Sequence, residues 1–272
     1  MPTVGQLVLL IIAIGLFATG GVLAAVRVLR GRAALALPAE VCRWAGVGCG
    51  IAVIVWHSAS RGSWLPLEDN FDTLVWLGLL LAVFAGYVQR RGSPRGLDWF
   101  VMPSAIALLG AAAVFGWTRP REYHVESLWH WVHRATSYGG AIAFALAGGC
   151  GLLYLIASRR LRNNQPIAGE GFGSLERLER LTFASVTLGF ALLTVGLVTG
   201  IFRAVHLDRT ALGTEWFTSP KVLLAAAVWT VYALVLHAPL NPSFRGRRSA
   251  ALSILGFVLM IGAIIAVQFM PG

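Results

Sequence analysis

HWVHRATSYGGAIAFALAGGCGLLYLIASRRLR, residues 130–162, opens on two histidines, runs on through an apolar stretch and closes on a cluster of arginines. A helix needs about 20 predominantly apolar residues to cross a bilayer, and 131–157 supplies them. Within it, GGAIAFALAGG (139–149) offers small side chains, which let a neighbouring helix approach closely where lipid supplies no hydrophobic drive for association. Arg159, Arg160 and Arg162 then mark a cytoplasmic end, so the histidines belong to the outward one.

The same reading extends along all 272 residues. Stretches at 4–26, 41–57, 73–89, 98–117, 131–157, 181–205, 221–238 and 249–270 each have the length and apolarity of a span. The composition agrees: 57% of the residues are hydrophobic and 12% charged, whereas soluble domains carry about 25% charged residues. The first span lacks the basic leader of a cleavable signal peptide, since Arg27, Arg30 and Arg32 follow it, and it is expected to remain in the mature chain.

Most of the Lys and Arg residues fall in alternate connections. Arg27, Arg30, Arg32 and Arg43 mark the first; Arg90, Arg91 and Arg95 the third. Arg159, Arg160, Arg162, Arg177 and Arg180 mark the fifth, and Arg245, Arg247 and Arg248 the seventh. The other connections hold Glu68, Asp69, Asp72, Glu122, Glu126, Asp208 and Glu215. The positive-inside rule makes the basic loops cytoplasmic and both termini extracytoplasmic. The expected fold is an all-α polytopic membrane bundle of about eight transmembrane helices, forming a single integral domain over 1–272. In the long fifth connection, Ser174 of SLERLERL is placed to cap a short amphipathic helix leading into the sixth span.

The charge pattern also excludes functions. The formal net charge of +10 is spread over short loop clusters with no basic stripe carrying interleaved exposed aromatics, so nucleic acid is not a partner. The lipid bilayer is. Cys42, Cys49 and Cys150 form no CxxC or CxxCH and read as small packing residues. No nucleophile–base pair or phosphate loop appears, so the chain does not read as an enzyme. No repeat symmetry relates its halves as in many transporters.

Six histidines remain. His57, His124, His130, His133 and His206 fall at or near the outward boundary, and His237 ends the seventh span near the cytoplasmic face. An imidazole in a span usually turns to the bundle interior, and its neutral ring is a common axial ligand for haem iron. His130 and His133 share one helical face. No third ligand with clear spacing follows them, so a dedicated zinc site is not expected.

Four segments together resemble the cytochrome c assembly family, which includes haem-handling and HemX-like and YpjD-like membrane proteins. Residues 130–162 resemble its histidine-led span, with Ser137 and Tyr138 in place, and SLERLERLTFASVTLGFALLTVGLVTGIF (174–202) is similar to the next. GTEWFTSPKVLLAAAVWTVYALVLH (213–237) resembles its tryptophan-rich outward loop and following span, and RGRRSAALSILGF (245–257) its last loop and helix. PLEDNFDTLVWLGLL (66–80) is a looser match, so 1–120 is weakly family-like and 121–272 is the assembly-like core.

The resemblance implies haem held at the extracytoplasmic face and offered to apocytochrome c, alongside other assembly subunits, in the cell's inner or plasma membrane. It places His130 on the family's outward ligand and His237 on its histidine within the membrane, both as haem iron ligands. Gly213, Trp216, Pro220 and Lys221 fall on the tryptophan-rich motif, while Leu212, Thr218 and Ser219 stand where haem-handling members carry Trp, Trp and Asp. The family's second outward ligand lies in a C-terminal Leu-His-Ser-Tyr segment absent from the closing AVQFMPG. His124, His133 and His206 are candidates to take the place of that second ligand, and Arg119, Arg121 and Arg134 to pair with the haem propionates. The alternative that the same resemblance carries is a HemX-like accessory protein of haem biosynthesis or of a partner membrane complex, without bound haem.

Overall fold

The computed structural model describes residues 2–30, 32–65, 67–90, 95–118, 128–163, 174–206, 218, 220–237 and 246–269. Among these are eight α-helices: α1 Val4–Arg30, α2 Ala36–Arg61, α3 Asn70–Arg90, α4 Asp98–Thr118, α5 Leu128–Arg162, α6 Leu175–His206, α7 Pro220–His237 and α8 Arg247–Phe269. Seven are long and apolar enough to cross a membrane. The exception is α7, whose 18 residues reach about 27 Å, just short of a typical hydrocarbon core. The chain is a multi-pass membrane protein, and helices suit that solvent because each satisfies its own backbone hydrogen bonds.

Two compact units divide between His124 and Val125, one holding α1–α4 and the other α5–α8. The division falls close to the 120/121 boundary between the weaker and stronger family resemblance.

In the first unit, α1 turns Leu10, Ala13, Phe17 and Ala24 inward at helical spacing, while Val4, Val8, Ile11 and Val22 remain exposed on the lipid-type face. A Cβ on Gly46 of α2 would stand 3.3 Å from the Phe17 ring, and one on Gly21 of α1 would stand 3.1 Å from Met102 Cβ of α4. Small residues thus set these helix approaches.

The ends of these helices are finished by side chains. Gln6 N–H donates to Thr3 Oγ1 (3.3 Å) and Thr3 N–H to Gln6 Oε1 (2.9 Å), a reciprocal capping box for α1. Asp69 caps α3, its Oδ1 accepting from Asp72 N–H at 2.6 Å. Gly62, at φ +75°, ends α2 in the left-handed conformation, its N–H donating to Ser58 O at 3.0 Å.

In the second unit, α5 is buried from Gly140 through Ala141 and again from Ala143 through Gly151, as the small-residue face at 139–149 requires. A Cβ on Gly140 would meet Gly189 O of α6 at 3.2 Å, and one on Gly151 would meet Ala250 O of α8 at 2.8 Å. Helix α5 is therefore the axis about which α6 and α8 close. Ser174 caps as expected, with Arg177 N–H donating to Ser174 Oγ at 3.2 Å. The helix it caps differs from the expectation: it runs unbroken for 32 residues to His206, so the amphipathic segment and the sixth span are one element.

Candidate functional site

The first three turns of α5 bring His130, His133, Arg134 and Tyr138 to one end of the second unit, opposite the last turns of α6. His130 is half-buried. Beside it, Trp129 packs on Phe202 of α6 with ring centroids 4.7 Å apart. His133 Nδ1 lies 2.8 Å from the Gly196 carbonyl oxygen of α6. A carbonyl only accepts, so Nδ1 carries a proton and, in the neutral ring, Nε2 carries the lone pair.

The space for that ring is cut by glycine. A Cβ on Gly200 would lie 2.9 Å from His133 Cε1 and 3.1 Å from Nδ1. One turn earlier on α6, a Cβ on Gly196 would lie 2.7 Å from Ser137 Oγ. Arg134 is buried at 9% exposure, and its guanidinium carbon is 5.7 Å from the Tyr138 ring centroid. Tyr138 follows it by one helical turn, so α5 itself supplies the cation's aromatic neighbour.

This is the pattern by which metal-binding histidines are commonly oriented, one ring nitrogen donating to a carbonyl while the other is left as a donor atom. His130, His133 and Arg134 are the side chains here whose chemistry suits a metal or a carboxylate. Among the described residues, no three His, Cys, Asp or Glu side chains are grouped to hold a metal ion by themselves.

His237 is elsewhere. Its Nδ1 lies 2.7 Å from Ala233 O of its own helix, and its side chain is exposed at the C-terminal end of α7. Helices α5 and α7 run parallel, both antiparallel to α6. They touch where Phe144 stacks on Tyr232, and Trp229 Nε1 donates to Thr194 Oγ1 of α6 at 3.0 Å. At 1.5 Å per residue from that stack, His130 is about 21 Å towards one end and His237 about 7 Å towards the other. The two imidazoles are thus roughly 28 Å apart along the bundle and belong to two levels rather than to one iron. Trp216, Gly213, His124, Arg119 and Arg121 lie outside the described residues, as do the side chains of Lys221 and His206. Pro220 opens α7, where its missing N–H costs nothing.

The first unit holds two buried polar clusters whose partners sequence spacing did not reveal. At one end His57 Nε2 is 2.7 Å from Asp69 Oδ2, which also accepts from Arg61 Nη1 at 2.9 Å. Burial pushes the Asp69 carboxyl up. The hydrogen bond from His57, the Asp72 N–H, and the charges of His57 and Arg61 outweigh it and hold Asp69 below its ordinary range. At the other end Arg43, 3% exposed, donates to Asp98 Oδ1 at 2.7 Å, and Gln89 Nε2 donates to the same oxygen at 2.7 Å. The available signal was ionisable residues inside or at the mouth of apolar runs, which in lipid must find partners.

Residues 64–272 match the family model described as "Cytochrome C assembly protein". A "Cytochrome c biogenesis protein CcsA" of Guillardia theta is 37% identical over 247 residues, covering 81% of this chain and 79% of that protein. A protein of the same name from Saccharum officinarum is 36% identical over 250 residues, covering 78% and 76%. One from Prochlorococcus marinus (strain NATL1A) is 37% identical over 113 residues, where the match spans 42% of this chain and only about a third, 34%, of the relative's length.

Proposed function

Because the chain belongs to the cytochrome c assembly protein family, we propose that it is a membrane component of cytochrome c biogenesis that binds haem at the extracytoplasmic end of its second unit. The observation that carries the reading is the His133 Nδ1–Gly196 O hydrogen bond, which leaves Nε2 the basic nitrogen of the neutral ring. His130, one turn earlier, would offer an imidazole to haem iron, and His133 is a candidate, with His124 and His206, for the missing second ligand. Arg134 offers a buried cation to a propionate, an interaction strengthened where water is excluded. When bound, haem supplies the iron porphyrin that c-type cytochromes carry. The side chains themselves hold, orient and shield it.

His237, at the opposite end of α7, serves a separate inner level of the bundle, where its Nδ1 bond to Ala233 O fixes the tautomer in the same way. Trp216, four residues before α7 in the sequence, would contribute stacking surface. The membrane is the inner or plasma membrane. Apocytochrome c and other assembly subunits are the partners, and the chain acts as a handling component rather than an enzyme.

The test is the visible spectrum of the full chain purified from haem-replete cells. A Soret band is expected, abolished or weakened by His130→Ala and shifted by His133→Ala, with the protein still folded. His237→Ala lowers haem occupancy and leaves the band position unchanged. A colourless wild-type protein, or a band untouched by both α5 substitutions, overturns the reading. A stable protein partner retained without pigment then establishes the HemX-like accessory alternative.

A further inference from the structure

The cluster at the His57 end of the first unit carries an inference that does not depend on haem. Its protons can be assigned from its acceptors. Gln6 Oε1 accepts the Thr3 N–H at 2.9 Å, while Gln6 Nε2 donates to Ser60 Oγ at 3.2 Å, so the amide cannot be turned round. His57 Nδ1, 3.2 Å from that oxygen, must donate. His57 Nε2 faces Asp69 Oδ2, which also accepts from Arg61, and donates as well. Both ring nitrogens of this side chain, 5% exposed, thus face oxygen acceptors.

The charges can then be paired. His57 and Arg61 are the basic groups. Asp69 faces both, and Glu68 Oε2 is 3.0 Å from Arg61 Nε. Helix α1 contributes only the neutral Thr3 and Gln6, and α4 brings no charged side chain to this end among the described residues. Among the described residues two basic groups thus meet two close acids, and Asp72 is the acid farthest from a cation.

Asp72 is 1% exposed. Its Oδ2 accepts from Leu67 N–H at 2.9 Å and lies 3.9 Å from Arg61 Nη2, beyond hydrogen-bond reach. Among the described residues its Oδ1 is buried without a hydrogen-bond partner, and one turn on along α3 so is Trp76 Nε1. A buried carboxylate oxygen with no donor is costly, whereas the neutral acid carries its own proton there. We propose that Asp72 is a proton-binding site whose loading sets the position of Arg61. With the proton on Oδ1, Arg61 remains with Asp69 and Glu68, and its Nη2 donates to Leu65 O at 3.1 Å. Loss of the proton to water leaves an unmatched anion within reach of Arg61. The guanidinium then swings towards Asp72, releasing Leu65 and loosening the segment between α2 and α3.

The experiment uses the full chain in lipid nanodiscs. Infrared difference spectra between mildly acidic and mildly alkaline buffer should show one protonated carboxylic acid exchanging for carboxylate. Asp72→Asn should remove that band, and Asp72→Glu, which retains the carboxyl, should move it. In parallel, protection of 62–69, taken as hydrogen exchange relative to the intrinsic base-catalysed rate at each pH, should fall in alkaline buffer in the wild type and stay at its acidic level at both pH values in Asp72→Asn. Should Asp72→Asn not assemble, the frequency shift in Asp72→Glu decides. Absence of the band, a band unmoved by Asp72→Glu, or a pH response of 62–69 unchanged in Asp72→Asn overturns the proposal.

Discussion

Phe144 of α5 and Tyr232 of α7 lie face to face, with ring centroids 3.6 Å apart and planes 4° from parallel. Both are fully buried, and Tyr232 Oη donates to Ser253 O of α8 at 3.2 Å, so one side chain joins three helices. Tyr232→Phe removes only the hydrogen bond and should cost about 1 kcal/mol. Tyr232→Ala opens a cavity and should cost about 3–5 kcal/mol. Gly256→Ala should also destabilise, since its Cβ would lie 2.6 Å from the Tyr232 ring. Thermal unfolding in detergent ranks the three; equal losses for the Phe and Ala variants would mean that the stack contributes nothing.

Arg43 and Asp98 form the deepest ion pair among the described residues of the first unit, with side chains 4% and 6% exposed. Asp98→Ala strands a buried guanidinium and should cost about 3–5 kcal/mol. Arg43→Met combined with Asp98→Leu removes both charges and should recover most of that loss. A double variant as unstable as Asp98→Ala would show that shape rather than charge governs this contact.

Asp69 gives a pH dependence with a definite sign. Its folded carboxyl lies below the ordinary value of 3.8, so the stability it contributes is fully present above that value. That contribution disappears as the pH falls from 3.8 through the lower folded value, because protonation leaves His57 and Arg61 facing a neutral acid. Asp69→Asn should already be destabilised at neutral pH and should lose less on acidification than the wild type. Acid titration followed by tryptophan fluorescence checks it; parallel curves for the two proteins would be the contrary result.

Gly200 is the counterpart of His133. A methyl group there would stand 2.9 Å from the ring, so Gly200→Ala should displace the imidazole and break its bond to Gly196 O. Nitrogen-15 spectra of histidine-labelled protein should lose the resonance of a hydrogen-bonded Nδ1–H, as in His133→Ala. In haem-loaded protein the Soret band should shift with it. An unchanged nitrogen spectrum would mean that the helices separate to admit the methyl group.

Orientation is tested separately. A reporter fused after Arg162 should read as cytoplasmic and one fused after Gly272 as extracytoplasmic, following the arginine clusters. The reverse pattern would move His130 to the other side of the membrane.

Sequence alone determined the eight helices, because in lipid a long apolar run has few ways of satisfying its backbone other than as a helix. It also placed the Ser174 cap, the close-packing face of α5 and the family, since each depends on residues near one another in the chain. Helix ends were less legible. The α5 reading of 131–157 became Leu128–Arg162, because polar and aromatic flanks continue a helix as readily as they stop one.

Only the tertiary structure decided which polar groups meet. His133 and Gly196 stand 63 positions apart, Arg43 and Asp98 55, and His57 and Gln6 51. Those pairings depend on the rotation and axial register of one helix against another, which small residues such as Gly140, Gly189 and Gly200 set through close contact and which no local spacing encodes. The same register places His130 and His237 at opposite ends of parallel helices. Both are histidines at the margins of apolar runs, and only helix direction distinguishes a shared ligand pair from two separate levels.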